Sequence, residues 1–581
     1  MNMKEILSNK PKKVILLGNE AIVRGALEAG VNFVSTFPGT PASEIGDTFA
    51  ALKIKNQISK IKNNFYFEYS TNEKVALEAA AGAAFSGLKS LVAMKHFGLN
   101  VASDALLPVV YTGVEGAMVV VVADDPGCWS SAQTEQDTRY YAEMAHLPML
   151  EPSNPQECKD FTKLAFEISE KFKIPVMVRT TIRVAHQSAP VLIGKIANRK
   201  SPILKITRGR FSTMPPRVLE MKKELLEKLE KIRKFSEGSK LNQIIHYPLS
   251  NIQYPKFGVI ASGISYLYVM EAVKELGLKL PVLKLGFTYP LPEKTIRDFI
   301  KNFKKVLVVE ELEPFLEVQV RAAAKDVNPK LEIFGSPPKF SNEKFRRAGS
   351  LPKIGELKPE YVLEAISEIS KRKSQFNFKT HQQNFQKLNL IERFPNLCPG
   401  CPYWVVFSVL KEAAPKNTIF GGDIGCYMLA GCPPHNIQDW LISMGSSIGV
   451  AHGISKIQYP KSNIQNPKVI TIIGDSTFFH AGIPALINTV FNKSNPLIII
   501  LDNSTTGMTG HQPHPGVGKT GQGEETRPIK IEDIVSACGV KNLKIVDSMR
   551  REDLIKTIKE FLEKKEVSVI IARSPCIFIK S

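Results

Sequence analysis

The sequence predicts an α/β protein that contains several doubly wound parallel sheets. Short apolar segments alternate with helix-like segments over most of the 581 residues, which is typical of parallel strands covered by helices on both faces. Hydrophobic residues make up 43% of the chain and charged residues 23%, and these values exclude a disordered chain, a collagen and a coiled coil. The length allows three or four domains of roughly 150 residues each.

The first α/β segment covers residues 1–194 and opens with a short apolar strand. Its predicted elements are, in order, a strand at 14–18, a helix at 20–30, a strand at 31–37, an alanine-rich helix at 72–87 and strands at 90–95 and 116–123. Because strands that are separated by helices pair in parallel, we expect these strands to form a parallel sheet.

A basic connector is predicted at residues 195–250. The chain carries 76 Lys+Arg against 56 Asp+Glu, a formal net charge of +20. The stretch from Lys195 to Lys240 holds 14 Lys+Arg and 5 Glu, a net charge of +9, and includes a helix-like segment at 218–235. Neither an aromatic-studded basic groove nor a Cys/His finger spacing accompanies this charge. We therefore interpret the segment as a solvated, lysine-rich helix and expect no nucleic-acid partner.

Two further α/β segments are predicted at 251–370 and 394–581, separated by a polar linker at 371–393. Their apolar strands, with one helix near 266–276, are predicted at 257–263, 306–311, 469–475, 497–503 and 568–573.

A membrane span is not expected from the sequence. The longest apolar runs, at 117–123 and 496–501, are far shorter than the roughly 20 residues that cross a bilayer. The charged N-terminal segment does not resemble a signal peptide. Eight cysteines in 581 residues do not make a secreted disulfide scaffold. We therefore expect a cytoplasmic protein without a membrane partner.

The ends of two apolar strands indicate a cation site. Gly474, Asp475 and Ser476 follow one strand, and Asn503 ends the next. Ligands bind outside the carboxyl ends of parallel strands, and Mg²⁺ prefers oxygen ligands while it keeps positions for phosphate oxygens. Asp475, Asn503 and the carbonyl of Thr505 are therefore candidate Mg²⁺ ligands beside a diphosphate, with Gly474 and Ser476 close to it. In the alternative interpretation, Asp475 caps a helix and Asn503 forms a turn.

This spacing resembles the diphosphate-binding motif of thiamine diphosphate enzymes. The segments TFPGTPASEI (36–45) and STNEKVALEAAAGAAFSG (70–87) resemble the pyrimidine-binding domain of 2-oxoacid:ferredoxin oxidoreductases. The resemblance implies that Glu73 is the carboxylate that activates the aminopyrimidine ring of the coenzyme, and that the hydroxyl of Thr40 faces the substrate. Without the resemblance, Glu73 would be a helix N-terminal acid that interacts with the macrodipole, and Thr40 would belong to an N-cap region before Pro41.

Within this superfamily the sequence is most similar to the indolepyruvate:ferredoxin oxidoreductases, over nearly the whole chain and in one order. The segments that carry the resemblance are EYSTNEKVALEAAAGAA, MKHFGLNVASDALL, SSAQTEQDTRYYA, CPGCPYW, GDIGCYMLAG and LDNSTTGMTGHQPHPG. It implies a pyrimidine-binding domain at 1–194, a transketolase C-terminal-like α/β domain at 251–370 and a diphosphate-binding domain at 394–581. Gly425, in GDIGC, is a further candidate coenzyme contact.

Four cysteines match the positions that hold an iron–sulfur cluster in related subunits. Cys398 and Cys401 form a CxxC sequence, Cys426 lies in GDIGC, and Cys576 lies near the end of the chain. Four thiolates suit a [4Fe–4S] cluster, and the resemblance implies this ligand set. The alternatives are a tetrahedral Zn²⁺ site, unliganded thiols, or Cys432 as the fourth ligand.

The resemblance implies oxidative decarboxylation of aryl 2-oxo acids, such as indolepyruvate, to acyl-CoA. The implied cofactors are thiamine diphosphate, Mg²⁺ and the [4Fe–4S] cluster. The implied partners are ferredoxin, whose acidic surface would suit a basic face, and a smaller β subunit in an α2β2 assembly. His480, His511 and His514 flank the Mg²⁺ loop and suit either proton transfer or local structural roles.

One feature departs from the family. Its long subunits usually end in a ferredoxin-like module with repeated CxxCxxC sequences, whereas this sequence ends at PCIFIKS. Electrons are therefore expected to leave through the four-cysteine cluster or through another subunit. The alternative functions are a non-redox thiamine diphosphate-dependent decarboxylase or carboligase, and a basic interaction protein that has kept the fold without the activity.

Overall fold

The chain forms two compact units, the first comprising Met1–Phe67 and Glu73–Leu390 and the second Glu68–Asn72 and Ile391–Ser581. The computed structural model describes residues 3–59, 65–197, 208–245, 257–336, 350–374, 386–391, 395–456 and 467–579. Parts of the predicted connector and of the predicted linker lie outside these residues. Among the described helices, none is long and apolar enough to cross a membrane.

Helices and strands of the first unit alternate through most of its length. The helices are α1 (Met3–Ile6), α2 (Gly18–Ala29), α3 (Ser43–Ser59), α4 (Glu73–Phe85), α5 (His96–Thr112), α6 (Arg139–Ala145), α7 (Pro155–Phe172), α8 (Ile182–Ala185), α9 (Arg217–Glu237), α10 (Gly263–Glu275), α11 (Glu293–Ile300), α12 (Phe315–Val327) and α13 (Pro359–Ser370). The strands are β1 (Lys12–Leu17), β2 (Phe33–Thr36), β3 (Tyr66–Tyr69), β4 (Lys89–Lys95), β5 (Ala117–Asp124), β6 (Met149–Leu150), β7 (Val176–Thr181), β8 (Ser188–Ile193), β9 (Gln243–Ile245), β10 (Phe257–Ser262), β11 (Val282–Leu285), β12 (Phe287–Tyr289), β13 (Lys305–Val309) and β14 (Glu332–Phe334).

The largest sheet of the first unit has seven strands in the order β12–β6–β7–β5–β4–β2–β3. Strands β2, β4, β5, β7 and β6 pair in parallel, and β12 pairs antiparallel with β6. Every residue of β5 is buried, as expected for a central strand that is covered on both faces. The predicted parallel sheet is confirmed, and the carboxyl ends of its parallel strands lie along one edge.

The first predicted strand does not join this sheet. Strand β1 pairs antiparallel with β8 in a separate two-stranded sheet. Val14 and Leu16 are buried, whereas Ile15 between them is 69% exposed. This alternation is the pattern of a strand with one face in solvent. The expectation that the strand at 14–18 belongs to the parallel sheet is therefore wrong.

A second sheet of the first unit has the order β14–β13–β10–β11–β9. Its first four strands are parallel, and β9 pairs antiparallel with β11. The predicted strands at 257–263 and 306–311 are confirmed as β10 and β13, and the helix near 266–276 as α10. The short strand β12 lies in the same stretch of chain but pairs with β6 of the seven-stranded sheet.

Helix α9 holds seven of the 14 Lys+Arg and all five Glu of the stretch from Lys195 to Lys240, so its own net charge is only +2. The helix-like segment at 218–235 is confirmed as its main part. Met221, Leu225 and Ile232 are buried, while Arg217 and Arg233 form ion pairs with glutamates of the same helix. The helix therefore has an apolar face that packs on the first unit and a charged face in solvent.

A fully buried arginine joins the two larger sheets of the first unit. The Arg139 guanidinium donates to Asp137 Oδ2 (2.6 Å) and Glu310 Oε2 (2.6 Å), and to the carbonyls of Glu311 (2.7 Å) and Glu313 (2.8 Å). Burial raises the pKa of Glu310 to about 7, although the Arg139 charge opposes this shift. The charge of Arg139 therefore offsets the free-energy cost of burying these carboxylates.

The second unit has a single described sheet in the order β15–β16–β17–β19–β18, with parallel pairing throughout. The predicted strands at 469–475, 497–503 and 568–573 are confirmed as β16, β17 and β19. The strands are β15 (Ile419–Gly421), β16 (Val469–Gly474), β17 (Leu497–Asp502), β18 (Asn542–Asp547) and β19 (Ser568–Arg573), and the helices are α14 (Tyr403–Ala413), α15 (Ser446–Lys456), α16 (Asp475–Thr477), α17 (Ile483–Phe491), α18 (Ile531–Ala537) and α19 (Arg551–Leu562).

The arginine between the sheets provides a stability test. Arg139→Met would leave Glu310 buried without its cation and Asp137 with only Arg179 (3.7 Å), and we expect it to lower the free energy of unfolding by about 3–5 kcal/mol. Arg297→Met is the control, because Arg297 pairs with Asp326 at the surface and should change stability by no more than about 1 kcal/mol. Urea unfolding of both variants measures the difference, and an equal loss in both would contradict the assignment.

Candidate functional site

Asp475 and Asn503 lie side by side at the carboxyl ends of two adjacent parallel strands, β16 and β17. Asp475 is only 2% exposed. Its Oδ1 accepts a hydrogen bond from the backbone N–H of Ser476 (2.8 Å), and its Oδ2 accepts one from that of Asn503 (3.1 Å). His514 Nε2 lies 3.1 Å from the same Oδ2. The structure thus brings together the Asp and Asn that the sequence pattern singled out.

The Asn503 amide lies between Asp475 and the backbone carbonyl of Thr505. With its nitrogen turned towards them, the amide donates to Thr505 O (2.8 Å) and Asp475 Oδ2 (3.3 Å), and its oxygen accepts from Tyr403 Oη (3.1 Å). With its oxygen turned towards them, three oxygens face one another. This second arrangement is unfavourable without a cation and suits a hard divalent ion, which prefers carboxylate, amide and carbonyl oxygens.

Gly425 and Gly474 both lie against the ring of Tyr427. A Cβ atom at either glycine would come within 2.4 Å of Tyr427 Cε1, so a side chain would not fit without a shift. Tyr427 Oη lies within hydrogen-bond distance of Ile424 O (2.5 Å) and Thr477 Oγ1 (2.7 Å) and shares its single proton between them. The buried ring of Tyr427 therefore fills the space that the missing side chains of Gly425 and Gly474 leave.

Asp423, the acid of GDIGC, organises the loop that carries Cys426. The carboxylate is fully buried and accepts hydrogen bonds from the backbone N–H groups of Gly445 (2.7 Å), Ile424 (2.8 Å) and Ser447 (2.9 Å). Burial raises the pKa of Asp423 to about 6, although these three N–H donors oppose the shift. The loop is therefore tied to the first turn of α15.

The four candidate cluster cysteines lie in one region of the second unit. Burial raises the pKa of Cys426 to about 11, and the thiols of Cys401, Cys576 and Cys398 add to the shift. Burial likewise raises the pKa of Cys401, with contributions from Cys398 and Cys576. Among the described residues, no group of three or more His, Cys, Asp or Glu side chains is arranged to hold a single metal ion.

One hydrogen bond and one shared neighbour, Gly507, connect the cysteines to the Asp475 site. The backbone N–H of Cys576 donates to the carbonyl of Asn503 (3.0 Å). A Cβ atom at Gly507 would lie 3.5 Å from the Asn503 amide and 3.6 Å from Cys426 Sγ. The thiols and the oxygen site are therefore neighbours within the second unit.

In the first unit, Glu73 is the first residue of α4 and is 6% exposed. A Cβ atom at Gly98 would come within 2.5–2.9 Å of the Glu73 side chain. Gly98 belongs to the MKHFGLN segment of α5, and its missing side chain provides the space in which the glutamate lies. The sequence identified the segment but not this reason for the glycine.

Thr40 lies at the carboxyl-end edge of the seven-stranded sheet. Its Oγ1 is 3.4 Å from Ser43 Oγ, and its carbonyl accepts a hydrogen bond from Ser130 Oγ (3.1 Å). Gly39, just before it, lies against the stem of Lys95. The structure thus adds Lys95 and Ser130 to the surroundings of Thr40.

Several residues near the candidate sites were not predicted from the sequence: Tyr403, Tyr427, Asp423, Ser130 and Lys95. Each lies in a segment that the resemblance used, but a buried tyrosine or a half-buried lysine has no local pattern that separates it from ordinary core or surface residues. Of the three candidate histidines, His514 is the one whose ring contacts Asp475.

Three family models match successive parts of the chain. Residues 24–229 match the thiamine diphosphate-binding domain of pyruvate flavodoxin/ferredoxin oxidoreductases. Residues 249–390 match the indolepyruvate oxidoreductase domain, and residues 423–572 match the C-terminal binding domain of thiamine pyrophosphate enzymes. The chain therefore contains domains of the thiamine diphosphate-binding type.

Whole-chain relatives agree with these matches. Indolepyruvate oxidoreductase subunit IorA of Methanothermobacter marburgensis is 43% identical over 99% of this chain and 89% of its own length. The corresponding subunit of Thermococcus kodakarensis is 41% identical over 99% of this chain and 88% of its own, and that of Archaeoglobus fulgidus is 41% identical over 98% and 87%. These relatives are named as oxidoreductases and support neither the non-redox alternative nor an inactive interaction protein. The chain belongs to the family of indolepyruvate oxidoreductase IorA subunits and is an oxidoreductase.

Proposed function

We propose that the chain catalyses the CoA-dependent oxidative decarboxylation of aryl 2-oxo acids, such as indolepyruvate, and passes the electrons through a [4Fe–4S] cluster to ferredoxin. One observation carries the proposal. The oxygen site of Asp475, Asn503 and Thr505 lies next to a group of four cysteines, with a direct hydrogen bond from Cys576 to Asn503. A coenzyme site beside an electron acceptor is what a redox decarboxylation needs.

The oxygen site is proposed to hold Mg²⁺ and the diphosphate of thiamine diphosphate. Asp475, the Asn503 amide oxygen and the Thr505 carbonyl would bind the ion, and Gly425, Gly474 and Ser476 would lie near the diphosphate. The bound coenzyme supplies the nucleophilic carbon that accepts the 2-oxo acid, which no protein side chain offers. The N–H groups of Ser476 and Asn503 keep the Asp475 carboxylate oriented while it binds the ion.

Glu73 and Thr40 are the proposed catalytic residues of the first unit. The carboxylate of Glu73 would accept a hydrogen bond from a ring nitrogen of the coenzyme, and its place against Gly98 limits its side-chain rotamers. The hydroxyl of Thr40 would face the substrate carbonyl. The roles of Glu73 and Thr40 come from the family resemblance. Glu73 is buried and Thr40 is partly buried, and both positions are compatible with these roles.

The four thiols are proposed to bind a [4Fe–4S] cluster. In such a cluster each cysteine binds a different iron, so the sulfurs do not need to meet around one point as they would around Zn²⁺. The thiols of Cys398 and Cys576 contribute to the raised pKa values of Cys401 and Cys426. Together with the lack of a single-ion site among the described residues, this supports the cluster over zinc.

The proposed assembly contains a smaller β subunit, in an α2β2 arrangement, and ferredoxin as the electron acceptor. The basic charge of the chain would favour an acidic redox partner. We also propose a cytoplasmic location, because eight cysteines in 581 residues do not make the disulfide scaffold of a secreted protein. The proposed domains are residues 1–194, 251–370 and 394–581, joined by a connector at 195–250 and a linker at 371–393.

Asp475 tests the coenzyme site. Asp475→Asn removes the charge that would bind Mg²⁺ but keeps the shape, and we expect a roughly 100-fold loss of thiamine diphosphate affinity. Asp553→Asn is the control, because Asp553 is half-exposed on α19. Calorimetric titration of both variants with coenzyme at constant Mg²⁺ measures the loss. An unchanged affinity in Asp475→Asn would contradict the proposed site.

A matched pair of cysteine variants tests the cluster. Cys576→Ser should abolish the visible absorbance and the bound iron of anaerobically purified protein, because one of four thiolates is lost. Cys432→Ser should retain both, since the family resemblance assigns the fourth ligand to Cys576. The reverse result would make Cys432 the fourth ligand. A colourless, iron-free wild-type enzyme with full activity would eliminate the cluster altogether.

The reaction itself is tested by reduction of a viologen dye. We expect the holoenzyme to reduce the dye with indolepyruvate or phenylpyruvate only when CoA is present, and more slowly with short aliphatic 2-oxo acids. Decarboxylation without dye reduction would contradict the proposed reaction. Faster reduction with aliphatic acids would contradict the aryl preference alone.

A further inference from the structure

Lys95 is a half-buried cation at the edge of the seven-stranded sheet where the parallel strands end. It is the last residue of β4, which lies between β2 and β5, and it stands opposite Ala123 of β5. Ligands of parallel α/β sheets bind along this edge. The sequence pattern predicted no role for this lysine.

The aliphatic stem of Lys95 lies against the backbone of Gly39, the residue before Thr40. A Cβ atom at Gly39 would come within 3.2–3.3 Å of Cβ, Cγ and Cδ of the lysine. This is closer than an ordinary side-chain contact, so the glycine leaves the room that the stem occupies. The lysine is thereby held next to the backbone of Thr40.

The ammonium group of Lys95 contacts the same turn as Thr40. It donates to Ser131 Oγ (2.8 Å) and to the carbonyl of Ser130 (3.1 Å). The single proton of Ser130 Oγ is shared between the carbonyl of Thr40 (3.1 Å) and Asp125 Oδ2 (3.0 Å). Asp125 Oδ2 holds the turn in place by accepting from the N–H of Ser130 (2.9 Å) and from Ser131 Oγ (2.6 Å). One small hydrogen-bonded unit therefore positions both the cation and Thr40.

The positive charge of Lys95 has no close ionic partner in the described part of the chain. Both acceptors of its ammonium group are neutral oxygens. Burial lowers the pKa of Lys95 to about 8, although Asp125, Cys128 and Glu73 oppose the shift. The neighbouring ring of His96 is also buried, and burial lowers its pKa as well. A bound anion would offset the cost of keeping this ammonium charged.

We propose that Lys95 binds the carboxylate of the 2-oxo acid substrate. An ammonium has three N–H donors, and Ser130 and Ser131 accept from two of them. The third has no oxygen acceptor in the described part of the chain, although the ammonium lies 4.9 Å from the centre of the Phe97 ring, and it would donate to a carboxylate oxygen. In every 2-oxo acid the carboxylate is bonded directly to the carbon of the reacting carbonyl. A cation beside Thr40 would therefore orient that carbonyl towards the threonine hydroxyl. The inference rests on the proposed function, from which it takes the substrate class.

Lys95→Met removes the charge and keeps most of the apolar stem. We expect it to raise KM for the 2-oxo acid roughly 10- to 100-fold, the effect of losing one charge-assisted hydrogen bond, and to change kcat much less, because the contact is made before and during the reaction. Lys95→Arg keeps the charge and should recover most of the affinity. Lys89→Met is the matched control, since Lys89 lies at the other end of β4 and pairs with Glu170 (3.0 Å).

The pH profile distinguishes a lysine that binds the substrate carboxylate from a lysine with a purely structural role. Only the protonated form of Lys95 binds a carboxylate, so kcat/KM of the wild type should be constant below about pH 8 and fall as the pH rises through the pKa of this lysine. Arginine stays protonated at these pH values, and the fall should therefore disappear in Lys95→Arg. A fall that persists unchanged in Lys95→Arg would overturn the proposal.

Calorimetric binding of 3-phenylpropionate and of its neutral amide tests the contact without turnover. We expect Lys95→Met to weaken binding of the acid roughly 10- to 100-fold and of the amide by no more than about twofold. An equal loss for both, or a parallel loss of thiamine diphosphate affinity, would mean that Lys95 only supports the fold. An unchanged affinity for the acid would overturn the role of Lys95 and leave the proposed function intact, whereas a wild-type holoenzyme that oxidises no 2-oxo acid would overturn the proposed function itself.

Discussion

The hydrogen bond from the backbone N–H of Asn503 to the carboxylate of Asp475 joins the ends of β16 and β17, where the proposed Mg²⁺ ligands lie. It is possible because β16 and β17 pair in parallel and end at the same level, so that a side chain beyond one strand reaches the backbone beyond the other. Asn503 then holds Cys576 through its carbonyl. A residue at each of three strand ends is thus positioned by the register of one parallel sheet.

Small residues next to large functional ones recur in both units. Gly98 leaves space for Glu73, Gly39 for the stem of Lys95, and Gly474 for the ring of Tyr427. In each case a Cβ atom would come closer to its neighbour than an ordinary contact allows. The glycines therefore determine where bulky or charged side chains lie, and substitution at any of them would displace a neighbour rather than only change the local backbone.

Much of the fold was predictable because buried parallel strands have long apolar runs, such as β5 and β17, whose burial does not depend on distant partners. The exceptions have a common cause. Strand β1 is apolar enough to resemble a buried strand but pairs with β8, which lies more than 170 residues away along the chain, and β12 is three residues long and pairs outside its own stretch of chain. Long-range pairing of short strands leaves no local pattern.

The sequence by itself determined the family, the fold class and the identity of the motif residues, since Asp475, Asn503, Glu73 and the CxxC pair occur in segments long enough to be specific. Only the tertiary structure decided which distant groups meet. It joins the backbone of Cys576 to Asn503, turns Tyr403 towards the Asn503 amide, and sets the ammonium of Lys95 beside the serine turn that contacts Thr40. Such contacts depend on how strand ends and loops from separate parts of the chain converge, and the distance between two side chains in space is not encoded in their spacing along the chain.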